Sequence, residues 1–426
     1  MSPGIADGSG PGSPFASGRE DRSVRRRRLP LARWSSLALA LAVAAGADGA
    51  EPRVVRVDPG KSYRPLLREL RPGDELVLLP GEYEGDALLQ VSGTREKPIT
   101  IRGVIDGDRR PEMRLTGRRG NLWRIEANHL VIRDLAFHAA RGYAIRIGRA
   151  EGIVIENCLF RDCGGGAISA NSGDVNGLRI SGCRFLEMPV PPNYIGHHDG
   201  KLDVRDFVFE RNVIDGSKIR TSGIGYGIQL KLNVRGGVIR ENFITGTQGP
   251  GIMVYGADAA KPDDASLIER NIVVGSRTCP GIVVGGGPAV VRNNLVIGCR
   301  GGGIALQNYG GRNLLDRITL VDNLALANQR HDFSVTRPVT AFVATGNRSW
   351  RAASGDGFRG LPQSAEHEGN RTIVMGDALR RLVAQSGKIV PTNASLTSVW
   401  AVPGSQSREV ADARALEEML TALSAP

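Results

Sequence analysis

Lys231 closes the segment Gly227-Ile228-Gln229-Leu230-Lys231, and Tyr255 closes Gly251-Ile252-Met253-Val254-Tyr255, 24 residues later. His198 and Asp199 end a third segment of this kind, Tyr194-Ile195-Gly196-His197-His198-Asp199. A lysine made less basic by burial can take a proton from carbon. A tyrosine or histidine can give one to a departing oxygen. Together these groups suit β-elimination from an acidic sugar, in which the C5 proton becomes removable once the adjacent carboxylate is neutralised by polar donors. Lys231, Tyr255 and His198 are therefore the catalytic candidates. Asn171, Gln229, Arg146, Arg235, Asp199 and Gln307 are the candidates for holding the substrate, with Lys201 a further one. Tyr309 and Arg312 would extend the same groove.

The elements that must position these residues are repeats. One unit recurs as VIRDLAF (131–137), IVIENCLF (153–160), LRISGCRF (178–185), FVFERNVI (207–214), GVIRENFI (237–244), LIERNIVV (267–274), VVRNNLVI (290–297) and ITLVDNLA (318–325). A second unit follows, carrying Ile145, Ile168, Ile228, Ile252, Ile282 and Ile304, with Ile195 filling the gap between Ile168 and Ile228. The period is 22 to 33 residues. Apolar residues alternate within each unit, which is strand periodicity. Short strands repeating at this interval make the coils of a parallel β-helix, each coil burying its inner face against its neighbours. Asn157, Asn212, Asn242, Asn271, Asn294 and Asn323 recur at one place and are expected to stack as an amide ladder.

In strand pleating, every second residue after the Ile faces outward. One outward column then reads Arg146, Ser169, Gly196, Gln229, Met253, Val283, Ala305. The next reads Gly148, Asn171, His198, Lys231, Tyr255, Gly285, Gln307. This register sets His198, Lys231 and Tyr255 side by side and turns His197 into the core.

Several features bound the chain as a whole. It has 56 Gly and 5% aromatics in 426 residues, a profile of short strands and tight turns. The formal charge of +11 suits an acidic partner such as a polysaccharide. A basic stretch, RSVRRRRLPLARW, precedes the apolar run Leu37–Ala45 and the small-residue site Ala45-Gly46-Ala47. That order predicts a signal segment over 1–47 and export to the periplasm or beyond. Its removal takes away seven Arg and three acids and leaves the chain basic. The expected organisation is all-β: a right-handed parallel β-helix over 51–350 with helical caps, then an irregular extension over 351–426 with a terminal helix at 408–423. Ser62 is expected to cap a short N-terminal helix bearing Leu66, Leu67 and Leu70. Cys158, Cys163, Cys183, Cys279 and Cys299 fit no zinc spacing and read as small core residues, Cys158 and Cys183 as stacked neighbours. The glycine runs at 285–287 and 301–303 lack the strand–loop–helix setting and lysine of a phosphate loop. No serine triad, basic recognition helix or RNA-stacking motif is present, so a nucleic-acid partner is not expected. A monomer is.

GTREKPITIRG (93–103), the repeats, and GIQLKLNVRGGVIRENFITGTQGPGIMVYG (227–256) together resemble the chondroitinase-B-like, alginate-lyase-containing polysaccharide lyase family 6. The resemblance covers roughly 55–345 and implies the same fold and a uronate-cleaving activity. It places the family's catalytic lysine on Lys231 and its catalytic arginine on or beside Tyr255. The family's calcium-binding carboxylates fall near Ile224 and Tyr226, neither of which is acidic, so calcium remains an open cofactor. YIGHHDG (194–200) is also similar to the His-Asp part of the motif of β-helix mannuronan epimerases, with Gly196-His197 in place of Asp-Pro. A lyase, an epimerase and a non-catalytic polysaccharide-binding or assembly protein are the readings carried forward.

Overall fold

The computed structural model describes residues 51–115, 120–256, 265–308, 315–351, 357–361, 369–374 and 381. The signal segment over 1–47, Tyr309, Arg312 and the terminal helix at 408–423 lie outside them. One coil shows the plan. Ile153–Glu156 lies in a first sheet, Leu159–Arg161 in a second and Gly166–Ala170 in a third. The short strand Val175–Asn176 then leads back to Arg179–Ser181, which lies parallel to Ile153–Glu156. Repetition builds parallel sheets of 12, 12 and 11 strands, and a 4-stranded sheet where the third turns back to the first. The fold is an all-β parallel β-helix.

Branched and aromatic side chains pointing inward make the core. Phe137, Phe160 and Phe185 stack coil on coil at 5.1 and 5.0 Å between ring centroids. Ile145, Ile168, Ile228, Ile252, Ile282 and Ile304 are all buried in the third sheet. Between the first and second sheets the chain turns through a left-handed residue. Asp134, Asn157, Arg211, Glu241, Arg270, Asn293 and Asp322 there have φ between 47 and 63. The next residue turns inward, and from Asn212 onward it is asparagine.

Asn212, Asn242, Asn271, Asn294 and Asn323 each donate Nδ2 to the Oδ1 of the next, at 2.9 to 3.0 Å. Each also donates to a backbone carbonyl on the preceding coil, such as Asn271 to Ile239 at 2.9 Å. The ladder runs further than expected, through Asn347 to Asn370. Asn157 is not a rung. It is the left-handed residue itself and donates to Asp134 Oδ1. Cys158 and Cys183 hold the inward place on the coils before Asn212, and the Cys183 amide donates to Asn212 Oδ1. The thiol cannot replace the amide's donor and acceptor pair, so the ladder begins where asparagine begins.

The N-terminal cover is a 3-10 turn at Leu66–Arg68 with no side-chain cap; Ser62 does not cap it. Pro65 at its start has no amide to satisfy. Tyr63 closes the core end, accepting a hydrogen bond from Trp123 Nε1 at 2.8 Å. At the other end, Phe358–Arg359 and Arg371–Val374 continue the third and second sheets past the expected boundary at 350.

Candidate functional site

The third sheet presents the outward residues chosen above, and its register settles their order. Ile168 pairs with Asn193, Ser169 with Tyr194 and Ala170 with Ile195. Ile195 in turn pairs with Leu230. The irregular coil is thus shifted by two residues from the expected register, with Asn193 standing in line with Ile168. Gly196, not His198, takes the place between Asn171 and Lys231: the Gly196 amide donates to Ala170 O, and the Lys231 amide to Ile195 O. The seven residues 197–203 form an insertion before the strand Val204–Arg205, and this hid the register in the sequence.

The corrected columns bring a different set together. Arg146, Ser169 and Tyr194 stand in one row, and Gln229, Met253, Val283 and Ala305 continue it. Asn171, Gly196, Lys231, Tyr255, Gly285 and Gln307 make the other. Lys231 Nζ lies 4.7 Å from the centroid of the Tyr255 ring and 5.3 Å from that of Tyr194. Gly196 leaves the space they enclose: a Cβ there would come within 3.3 Å of Lys231 Cβ and 2.5 Å of Val234 Cγ2. Lys231 makes no ion pair among the described residues, and desolvation alone lowers its pKa from the ordinary lysine value. Tyr255 Oη and Tyr226 Oη are 3.0 Å apart, a hydroxyl pair whose inner member is buried. Desolvation, helped by Tyr143, Tyr255 and Asp199, raises the pKa of Tyr194.

The remaining candidates scatter. His197 is half-buried rather than in the core, with Nδ1 2.8 Å from Asp199 Oδ1. The Lys201 amide, and next that hydrogen bond from His197, hold the Asp199 carboxyl down at about 2. His198 is exposed, its ring 4.1 Å from that of His197. Asn171 accepts a hydrogen bond from Ser169 Oγ at 2.9 Å and is half-buried. Arg146 is exposed. Gln229 is buried, as are Met253, Val283 and Ala305 beyond it, so the open part of the face lies on the Arg146 side of Lys231. Gln307 is half-buried two coils past Tyr255. Arg235 belongs elsewhere: it is buried in the small fourth sheet and grips Asp203 with Nε and Nη2 at 2.9 to 3.1 Å.

The sequence reading missed Tyr194 and Tyr226. Tyr194 is visible in it only once the insertion at 197–203 is recognised. Tyr226 lies before its strand, and only the fold brings it to Tyr255. The positions near Ile224 and Tyr226 offer no carboxylate to a calcium ion. Ile224 is exposed, Tyr226 is engaged with Tyr255, and the described residues hold no group of three His, Cys, Asp or Glu able to take a metal. A hard cation needs several oxygen ligands, mainly carboxylates.

Residues 123–324 match the family model described as the right handed beta helix region, which gives the hand of the coils. No curated protein matches the sequence. Among solved structures, the chain is similar to an alginate lyase from Paenibacillus sp. str. FPU-7, at 17% identity over 76% of this chain and 98% of that one, with TM-score 0.46. It is similar to the A-module of a mannuronan C-5 epimerase from Azotobacter vinelandii, at 14% identity over 71% and 87%, with TM-score 0.48. It is also similar to a pectate lyase, at 13% identity over 81% and 87%, with TM-score 0.49.

Proposed function

We propose that this β-helix protein acts on an acidic polysaccharide at Lys231, cleaving it by β-elimination. One observation carries the reading: a lysine with lowered basicity and no carboxylate partner among the described residues, set beside a tyrosine hydroxyl pair on an outer face. Neutral Lys231 takes the C5 proton and becomes an ammonium. The electron pair forms the C4–C5 double bond as the C4–O bond breaks. Tyr255 gives its proton to the departing oxygen. The resulting phenolate is held by the Tyr226 hydroxyl and faces the new ammonium, which returns the proton and resets the site. The Asn171 amide and Arg146 are the donors for the carboxylates along the chain. Coils stand about 4.8 Å apart, so Arg146, three coils from Gln229, serves a neighbouring sugar rather than the one at Lys231.

The two rings beside Nζ also support a second reading. Cation–π contact stabilises an ammonium, and a lysine that stays charged makes a polymer-binding site without chemistry. Lys231→Ala and Lys231→Arg distinguish the two, with ultraviolet absorbance of unsaturated uronate followed on alginate, pectate and chondroitin. As a base, Lys231 is replaced by neither residue, and the rate falls roughly 10²- to 10⁴-fold in both. If neither the wild type nor any variant yields unsaturated product, and Lys231→Arg holds the polymers as well as the wild type, the binding reading stands.

A further inference from the structure

We propose that Arg220 and Arg277 form an oxyanion-binding site, for the carboxylate or sulfate of an acidic sugar, at the corner between the second and third sheets. Arg220 lies between the strands Val213–Asp215 and Ile228–Leu230, and Arg277 lies two coils on, between Ile272–Val274 and Ile282–Val284. Arg277 reaches back across the intervening coil. Its Nη1 donates to Ser217 O at 2.9 Å and its Nη2 to Ile219 O at 2.6 Å. Arg220 Nη1 donates to the same two carbonyls, at 2.8 Å each. Two guanidinium groups that share two acceptors must lie side by side. The loop that supplies the acceptors is itself fixed. Gln248 accepts from the Thr221 amide and donates to Thr221 O and Gly223 O, and Thr278 Oγ1 donates to Gln248 O.

Neither arginine makes an ion pair among the described residues. Asp215 is the carboxylate that acts on Arg277, and it is engaged with the Ser217 amide. Desolvation and the Arg220 charge outweigh it, so the pKa of Arg277 is lowered. Exposed Lys218 adds charge in the same loop, and exposed Arg300 follows Arg277 at the corner of the next coil. An arginine has five N–H donors in a planar fork. The carbonyls occupy Nη1 of Arg220 and part of each Nη of Arg277, which leaves Nε and Nη2 of the exposed Arg220 to grip two oxygens of one anion. A bound oxyanion relieves the repulsion between the two cations. The site lies across the third sheet from Lys231 and is independent of any chemistry there.

The test is titration calorimetry of the full chain with sodium sulfate and with sodium galacturonate, against sodium chloride at matched ionic strength. Wild type and Lys231→Ala are expected to bind at least one of the two saturably. Preference for sulfate or for galacturonate identifies which anionic group the site takes. Arg220→Gln should weaken that binding roughly tenfold or more. Arg277→Gln should do the same; if it fails to fold, as its loop contacts allow, the exposed Arg220→Gln decides alone. Equal affinity in Arg220→Gln and wild type, or no saturable binding beyond the chloride control, overturns the proposal.

Discussion

Lys231 owes its lowered basicity to burial between two rings rather than to a charged neighbour, and this fixes the sign of its pH dependence. As the proposed base Lys231 would work neutral, so turnover should rise with pH and level off below the ordinary lysine pKa. Initial rates across pH check this, and a profile flat on the alkaline side through the ordinary lysine range without any earlier rise contradicts it. Tyr255→Phe should remove the acid and lower the rate roughly 10²-fold or more, while Tyr226→Phe, which only positions the acid, should cost less. A second titrating residue sits far from this face. Asp332 is buried, accepting from Asn328 Nδ2 at 2.6 Å and Ser349 Oγ at 2.5 Å, and desolvation raises its pKa to about 6. Between the ordinary carboxylate value and about 6 the native state holds a proton that the unfolded chain has released. Stability from this group is therefore full at the acid end and is lost as pH rises through about 6. Denaturant midpoints for Asp332→Asn should lose that slope, and an unchanged slope refutes the assignment.

The ladder and the irregular coil behave oppositely as elements. Asn271→Ala strips an acceptor from both the amide and Nδ2 of Asn242, and a donor from Ile239 O, all inside the core. A loss of about 3 kcal/mol is expected from these orphaned groups. Asn193 is buried with neither end of its side chain hydrogen-bonded, in line with Ile168. Asn193→Leu should therefore stabilise by about 1 kcal/mol. Both are read from urea unfolding, and equal signs for the two variants would refute the contrast. The same comparison shows what was legible in the sequence. The asparagine repeat was, because its spacing survives in the chain. The swap of Asn157 for Cys158 as the inward residue was not, since one residue separates a left-handed turn position from a core one. The two-residue shift at Asn193–Ile195 was hidden by the insertion that follows it.

At the scale of the molecule, the chain carries a formal charge of +11, and among the described residues many cations are already paired. Arg179 and Arg240 share Glu210, Arg211 and Arg270 share Glu241, and Arg292 takes Glu269, a ladder along the first turn. On the proposed function an acidic polymer would meet the remaining cations, and its affinity should fall steeply between low and physiological salt as charges are screened over about 10 Å. Affinity electrophoresis at several salt concentrations checks this; binding insensitive to salt would point to ring stacking instead. The sequence by itself determined the coil, the alternating core and the amide ladder, because each depends on a period that a reader can count. It also singled out Lys231 and Tyr255, because both end strands of the same repeat. Only the tertiary structure decided that Tyr194 rather than His198 stands beside Lys231, that Arg235 is buried against Asp203, and that Arg220 and Arg277 meet. Register across an insertion, burial, and contacts between coils dozens of residues apart are set by stacking, and no local pattern encodes them.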